Sequence, residues 1–238
     1  MPMLESLKNK KIMIVVAHPD DELLGPGGTM HQLINKHGCT IRAVILGEGI
    51  TSRSDARDEN LWKEELAVHR NNILKAQKSI GYQSVGIYDV PDNRFDHVDL
   101  LDIIKLVEKE KREFDPEVIF THHGGDLNID HRRTFEAVIT ACRPMEHEKV
   151  KTIITFETPS GTEWRASNEP FHFLPNLFFE ISEEDLDAKC IGMEAYEFER
   201  RAYPHPRSPE ALRILAQRWG IAVGKRLAEA FCIVRSIN

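Results

Sequence analysis

Two clusters of histidines and carboxylates in this 238-residue chain have the residue types for metal chemistry. The first is His18-Pro19-Asp20-Asp21-Glu22, and the second runs from 122 to 131. Catalytic zinc sites often use two histidines and one carboxylate and keep a fourth position for water. Adjacent carboxylates in an extended loop point to different sides, so one can bind the metal while the other serves as general base. A capped turn at a helix start is the alternative interpretation of the first cluster taken alone.

The elements that must position these clusters follow from the apolar pattern. Five short apolar, β-branched runs recur along the chain, which is typical of strands buried on both faces of a parallel sheet. They cover residues 11–17, 40–46, 84–90, 117–122 and 150–156. Helical patterns occupy the gaps between them, at 28–37, 58–81, 98–114 and 131–143. The alternation predicts an α/β fold with a Rossmann-like, doubly wound and mostly parallel sheet.

The last third of the chain departs from this alternation. An apolar stretch covers 176–181, and helices are predicted near 183–200 and 208–230. Nothing in the composition marks a linker. We therefore expect a C-terminal extension packed on the same core, and one domain over residues 1–238.

The predicted strand order brings the two clusters together. In the common order 3-2-1-4-5, the first and fourth strands are neighbours at the point where the winding direction reverses. Ligands bind outside the carboxyl ends of the strands at that point. The first cluster follows the first strand and the second follows the fourth, so both should face one crevice.

Composition excludes several classes of protein. A net charge of −7 and a pI near 5.9 argue against a nucleic-acid partner, which needs a basic face. The early apolar run 12–17 is too short to span a membrane and lacks a cleavage site, which predicts a cytoplasmic protein without a membrane span. The four cysteines form no Cys-x-x-Cys pair, so neither a disulfide framework nor a cysteine zinc site is expected.

The motifs resemble those of a known family. Residues 17–22, followed by Gly27-Gly28-Thr29 and later by Asp130-His131, resemble the PIG-L/LmbE-type zinc-dependent N-deacetylases. Members of this family remove acetyl groups from N-acetylglucosamine-containing glycans, glycolipids and thiol precursors. The resemblance covers at least the first ~140 residues. It implies a Rossmann-like fold, in agreement with the strand pattern, and admits a homo-oligomer, either a trimer or a hexamer.

Site residues carry over by position in these motifs. His18, Asp21 and His131 match the zinc ligands, and Asp20 matches the general base. The ligand types alone also admit iron, cobalt or manganese.

Matches to substrate-binding positions are weaker. Arg70 falls where the family keeps a substrate-binding arginine, although a surface helix charge is an equal interpretation. Asp92 falls near a sugar-contacting acid, although a turn-forming residue explains it as well. Trp164, His205 and Arg207 lie in polar, aromatic loops that can close a sugar pocket or can be ordinary surface loops.

One position departs from the family pattern. The second motif is commonly His-x-Asp-His, and its first histidine is thought to stabilise the oxyanion, whereas this chain has Asn128 there. An amide can donate a hydrogen bond but cannot carry charge or transfer a proton. Either Asn128 and zinc suffice, or a nearby histidine, His123 or His122, takes over the cationic role. We hypothesise His123 as this substitute, and the alternative is that it is a structural histidine at the strand end. Asp130 would orient a ligand histidine or one of these partners.

Three functions remain open from the sequence. The leading hypothesis is a zinc hydrolase that removes the acetyl group from an N-acetylated amino sugar in a glycan, nucleotide-sugar or glycolipid. The second is a noncatalytic Rossmann-like module that binds a nucleotide or sugar. The third is a zinc amidase that acts on a non-sugar conjugate.

Overall fold

A seven-stranded mixed sheet forms the centre of the computed structural model, which describes residues 3–58, 60–166 and 170–237. The strand order is β3-β2-β1-β4-β5-β7-β6. The strands are β1 (Lys11–Val16), β2 (Thr40–Gly47), β3 (Ser84–Val90), β4 (Val118–His122), β5 (Thr152–Phe156), β6 (Leu177–Glu180) and β7 (Ala228–Ser236). The first five strands are parallel and have the predicted order, so the α/β, Rossmann-like prediction is confirmed.

Eight α-helices accompany these strands within the described ranges, and the first of them precedes β1. They are α1 (Met3–Leu7), α2 (Asp21–Leu24), α3 (Gly27–His37), α4 (Lys63–Ile80), α5 (Leu100–Phe114), α6 (Ile129–Ala141), α7 (Glu183–Glu194) and α8 (Pro209–Ala222). Short 3₁₀ turns occur at Thr51–Arg53, Phe95–His97 and Thr162–Trp164. None of the helices in the described residues combines the length and apolar character needed to cross a membrane.

The core has two parts, one on each face of the sheet, and β1 in the middle of the sheet contributes side chains to both. Ile12, Ile14 and Val16 pack into one apolar cluster with residues of α3, α4, α7 and α8. Met13 and Val15 point to the opposite cluster, which α5 and α6 cover. This burial on both faces explains why the sequence of the strand is an unbroken apolar run and does not alternate between apolar and polar residues.

The C-terminal part joins this same sheet and corrects the prediction of a helix over 208–230. Helix α8 ends at Ala222, and the chain then turns and enters β7, which is antiparallel to both β5 and β6. Phe231 on β7 is fully buried and lies opposite Phe156 on β5. Its burial between two strands decides the structure of a segment whose sequence also suits a helix. The helix predicted over 183–200 likewise ends early, at Glu194.

Candidate active site

A cavity of about 260 Å³ opens where β1, β2, β3 and β4 end. Seven of the predicted site residues line it: His18, Asp20, Asp92, Asn128, Trp164, His205 and Arg207. The loops after β2 and β3 also contribute, as do two segments after β5. The convergence agrees with the rule that ligands bind at the carboxyl ends of parallel strands.

His18, Asp21 and His131, the three predicted metal ligands, form one cluster beside this cavity. Their ligand atoms all lie within 4.8 Å of one another. Oδ2 of Asp21 is 3.4 Å from Nδ1 of His18 and 3.3 Å from Nε2 of His131. Asp21 is the first residue of α2 and His131 lies in the first turn of α6, so two helix starts bring them together.

The chemistry of this cluster fits a divalent cation. Asp21 is 1% exposed, and its Oδ1 atom has no hydrogen-bond partner among the described residues. Burial disfavours the charged form of His131, yet the charges of Asp21 and Asp126 raise its pKa to about 9. Two imidazoles and one carboxylate are a common donor set for zinc, and the negative field that favours a proton here also favours a metal cation.

Asp130 orients His18 by bonding the ring nitrogen that faces away from Asp21. Nε2 of His18 donates to Oδ2 of Asp130 over 2.9 Å, which leaves Nδ1 directed toward Asp21. Asp130 is fully buried and also accepts from the backbone N–H groups of Asn93 and Phe95. Its oxygens are therefore engaged, in the manner of a carboxylate that fixes a ligand histidine.

Both carboxylate oxygens of Asp92 also accept hydrogen bonds from the protein, although Asp92 was predicted to contact sugar. Its Oδ2 accepts from the Ser52 backbone N–H at 3.0 Å, and its Oδ1 accepts from Asn93 Nδ2 at 3.1 Å. Oδ1 also lies 3.3 Å from Nε2 of His18. His18, Asp92 and Asp130 could thus be counted as a second metal group, but their atoms already bond to protein. Asp92 therefore links the loops after β2 and β3 while it lines the cavity.

Asp20 lies at the floor of the cavity in a left-handed conformation, with φ of 99°. Its carboxylate is 1% exposed, and Oδ2 accepts from Nη1 of Arg207 over 3.0 Å. Burial raises the pKa of Asp20 well above its usual value, and the charge of Arg207 opposes that rise. A carboxyl group with a raised pKa beside three candidate metal ligands is suited to accept and return a proton.

Arg207 belongs to a network of charged side chains that the sequence did not reveal. Its Nη1 donates to Glu199 over 2.7 Å and its Nε donates to Ser160 over 2.8 Å. Glu199 in turn accepts from Arg53, which also lines the cavity. No motif connects these residues, because they come from three loops that are far apart in the sequence.

Asn128 caps α6 and still faces the cavity. Its Oδ1 accepts from the Asp130 backbone N–H at 2.8 Å, and its Nδ2 donates to Oδ1 of Asn93 at 3.0 Å. An amide nitrogen has two hydrogens, so one remains for a ligand in the cavity.

Neither His122 nor His123 lines the cavity. His122 is fully buried, and its Nε2 accepts from the Ala17 backbone N–H at 2.9 Å. Burial lowers its pKa to about 3, so it is neutral. Nε2 of His123 donates to the carbonyl of Phe171 over 3.1 Å. Of these three residues, Asn128 is thus the one that lines the cavity.

Trp164 and His205 form an aromatic corner of the cavity. Their ring centroids are 5.7 Å apart and the rings are nearly perpendicular, at 84°. Trp164 is 52% exposed, so much of its surface is available to stack on a ligand.

Arg70 lies outside the site. It projects from α4 and donates to Asp89 over 2.6 Å, and both side chains are more than half exposed. We expect Arg70→Ala to leave the KM for substrate unchanged and to alter stability by about 0–1 kcal/mol, the usual value of an exposed ion pair. Steady-state kinetics would check this, with Arg53→Ala as the comparison because Arg53 lines the cavity. A raised KM for Arg70→Ala alone would contradict the placement.

Comparisons with known proteins bear on this site. The family model for PIG-L, GlcNAc-PI de-N-acetylase, matches residues 13–142. An uncharacterized deacetylase of Escherichia coli, YaiS, is 29% identical over 194 residues, which are 79% of this chain and 91% of the relative.

Solved structures share the fold. An N,N'-diacetylchitobiose deacetylase from Pyrococcus horikoshii superposes with a TM-score of 0.70 at 20% identity, covering 95% of this chain and 84% of the other. A 4-carboxy-2-hydroxymuconate hydratase from Pseudomonas putida superposes with a TM-score of 0.72 at 20% identity, covering 96% of this chain and 98% of the other. The same fold therefore occurs in proteins with two different reactions, and the side chains of the site must decide between them.

Proposed function

Because the chain belongs to the PIG-L (GlcNAc-PI de-N-acetylase) family, we propose that it is a zinc-dependent hydrolase that removes the acetyl group from an N-acetylated amino sugar. The observation that carries the proposal is the cluster of His18, Asp21 and His131 beside the buried carboxylate of Asp20. Water adds to the acetamide carbonyl, the C–N bond breaks, and the products are acetate and a free amine.

His18, Asp21 and His131 would hold the metal. A bound Zn²⁺ would polarise the amide carbonyl and make water a better nucleophile near neutral pH. Asp130 keeps His18 oriented for this role through its 2.9 Å hydrogen bond.

Asp20 would act first as the general base and then as the general acid. Its carboxylate takes a proton from the attacking water and returns it to the departing nitrogen, so that the amine leaves neutral. Arg207 holds this carboxylate in place through the 3.0 Å contact to Oδ2. The free N–H of Asn128 would donate to the oxygen on which negative charge develops.

The cavity wall supports a sugar as the rest of the substrate. The exposed face of Trp164 offers a stacking surface, and His205 meets it at a right angle. Arg53, Arg207 and Glu199 supply hydrogen-bonding groups at the same wall.

The test is acetate release together with metal content. The purified protein should contain zinc and liberate acetate from one of a panel of N-acetylglucosamine conjugates. Chelation should stop the reaction, and added Zn²⁺ should restore it. Metal-free protein, or metal-loaded protein that releases no acetate from any N-acetylated amino sugar, would contradict the proposal.

A matched pair of histidine variants sharpens this test. His131→Gln should lose both the metal and acetate release, because it removes one of three ligands. His97→Gln is the control, since His97 is exposed and pairs with Asp96 outside the cavity. Equal metal content in the two variants would argue against the ligand set.

A further inference from the structure

Asp126 is a buried carboxylate for which the sequence predicted no role. It lies in the loop between β4 and α6 and is fully buried. Its Oδ1 is 3.1 Å from Nδ1 of His131 and accepts from the Asn128 backbone N–H at 2.8 Å. Its Oδ2 accepts from Oγ1 of Thr162 at 2.6 Å.

These contacts place a carboxylate on the far side of a ligand histidine. With Nδ1 of His131 facing Asp126, the Nε2 lone pair is left for the cluster at Asp21. Such carboxylates fix the tautomer and ring orientation of a metal-binding histidine and raise its basicity. Asp130 makes the corresponding contact to His18 as a 2.9 Å hydrogen bond, whereas Nδ1 of His131 is close to Asp126 but not aligned for a hydrogen bond with any described residue.

The second oxygen of Asp126 reaches the cavity wall. Thr162, which donates to it, also accepts from the Thr158 backbone N–H at 2.8 Å. The turn that these bonds define carries Ser160 and Trp164, both of which line the cavity.

A glycine shows how closely this turn approaches the carboxylate. A Cβ atom added at Gly161 would lie 2.8 Å from Oδ1 of Asp126. Only a residue without a side chain lets the turn approach so closely without displacing the carboxylate.

We propose that Asp126 is a positioning residue that orients His131 for metal binding and, through Thr162, ties this ligand to the wall of the substrate cavity. The inference rests on the proposed function, because it requires that His131 bind a metal. It differs from that function in predicting which residue outside the ligand set controls metal affinity.

The first experiment measures the zinc dissociation constant by competition with a chelator. Asp126→Asn keeps the size of the side chain and removes its charge, and it should weaken zinc binding by about 10–100-fold. Asp185→Asn is the matched control, because Asp185 is also fully buried and lies 2.8 Å from Nδ1 of another histidine, His31. That histidine lies outside the cluster, so Asp185→Asn should bind zinc as the parent does.

A second pair of variants covers the case in which Asp126→Asn does not fold. Thr162→Val removes the hydroxyl that holds Asp126, whereas Thr162→Ser keeps it. We expect Thr162→Val to weaken zinc binding and raise KM, and Thr162→Ser to restore both values.

The outcomes separate the two proposals. A parent protein that binds no zinc overturns the proposed function and this inference with it. A parent that binds zinc, with Asp126→Asn or Thr162→Val binding it equally well, overturns the inference alone.

Discussion

Replacing Asp20 with Asn is expected to slow acetate release by about 10²–10⁴-fold, the usual contribution of a positioned general base. The amide has nearly the same shape but cannot accept a proton from water. Arg207 should stay in place, because it also donates to Glu199 and Ser160. The loss should therefore fall on kcat, with little change in KM.

The zinc content of Asp20→Asn decides how this result is interpreted. Asp20 is not in the ligand cluster, so the variant should keep its metal. Asp89→Asn is the control, since Asp89 is 62% exposed and pairs with Arg70 away from the cavity. An Asp20→Asn protein with full metal content and parental turnover would remove Asp20 from the mechanism.

Replacing Lys189 with Met is expected to destabilise the fold by about 3–5 kcal/mol, because it leaves a buried carboxylate unpaired. Lys189 Nζ lies 2.7 Å from Glu229 Oε1, and both side chains are less than a tenth exposed. Glu229 also accepts from the backbone N–H groups of Gly28 and Thr29 at the start of α3. This pair thus joins β7 to the helix that follows the first site cluster.

Denaturant unfolding of three variants would check this expectation. Adding Glu229→Gln to Lys189→Met should recover part of the loss, because the unpaired charge disappears. Lys225→Met is the control, since its 2.8 Å ion pair with Glu180 has both side chains about half exposed. It should change stability by about 0–1 kcal/mol. Equal losses of stability in Lys189→Met and Lys225→Met would show that burial of the Lys189–Glu229 pair does not increase its contribution to stability.

The sequence predicted the sheet well where strands are buried on both faces. Lys11–Val16 and Val118–His122 are almost entirely buried, so their unbroken apolar runs identify them. The first three residues of β7, 228–230, were wrongly predicted as the end of a helix, and the rest of this strand was not predicted, because Glu229, Arg235 and Ser236 interrupt its apolar residues. Its partners β5 and β6 determine that it is a strand, and no local pattern contains that information.

The ligand cluster was predicted more completely than the residues that surround it. His18, Asp21 and His131 lie in two motifs whose strands are neighbours in the sheet, and the structure brings them together. The contacts of Arg207 to Asp20 and of Asp126 to Thr162 join segments from different loops. Such contacts depend on the packing of the loops, so residue type and spacing could not reveal them.

The position of β7 also affects the order in which a nascent chain can assemble. Although β7 is the last strand along the chain, it lies between β5 and β6, and β6 pairs with it alone within the described residues. His18, Asp21 and His131 leave the ribosome well before Arg207 and Glu229 are made. A growing chain can therefore bring His18, Asp21 and His131 together before Arg207 is available to bond Asp20 and before β7 joins the sheet. The wall of the cavity that carries Glu199 and Arg207 can therefore form only after both strands that precede the two site clusters have been made.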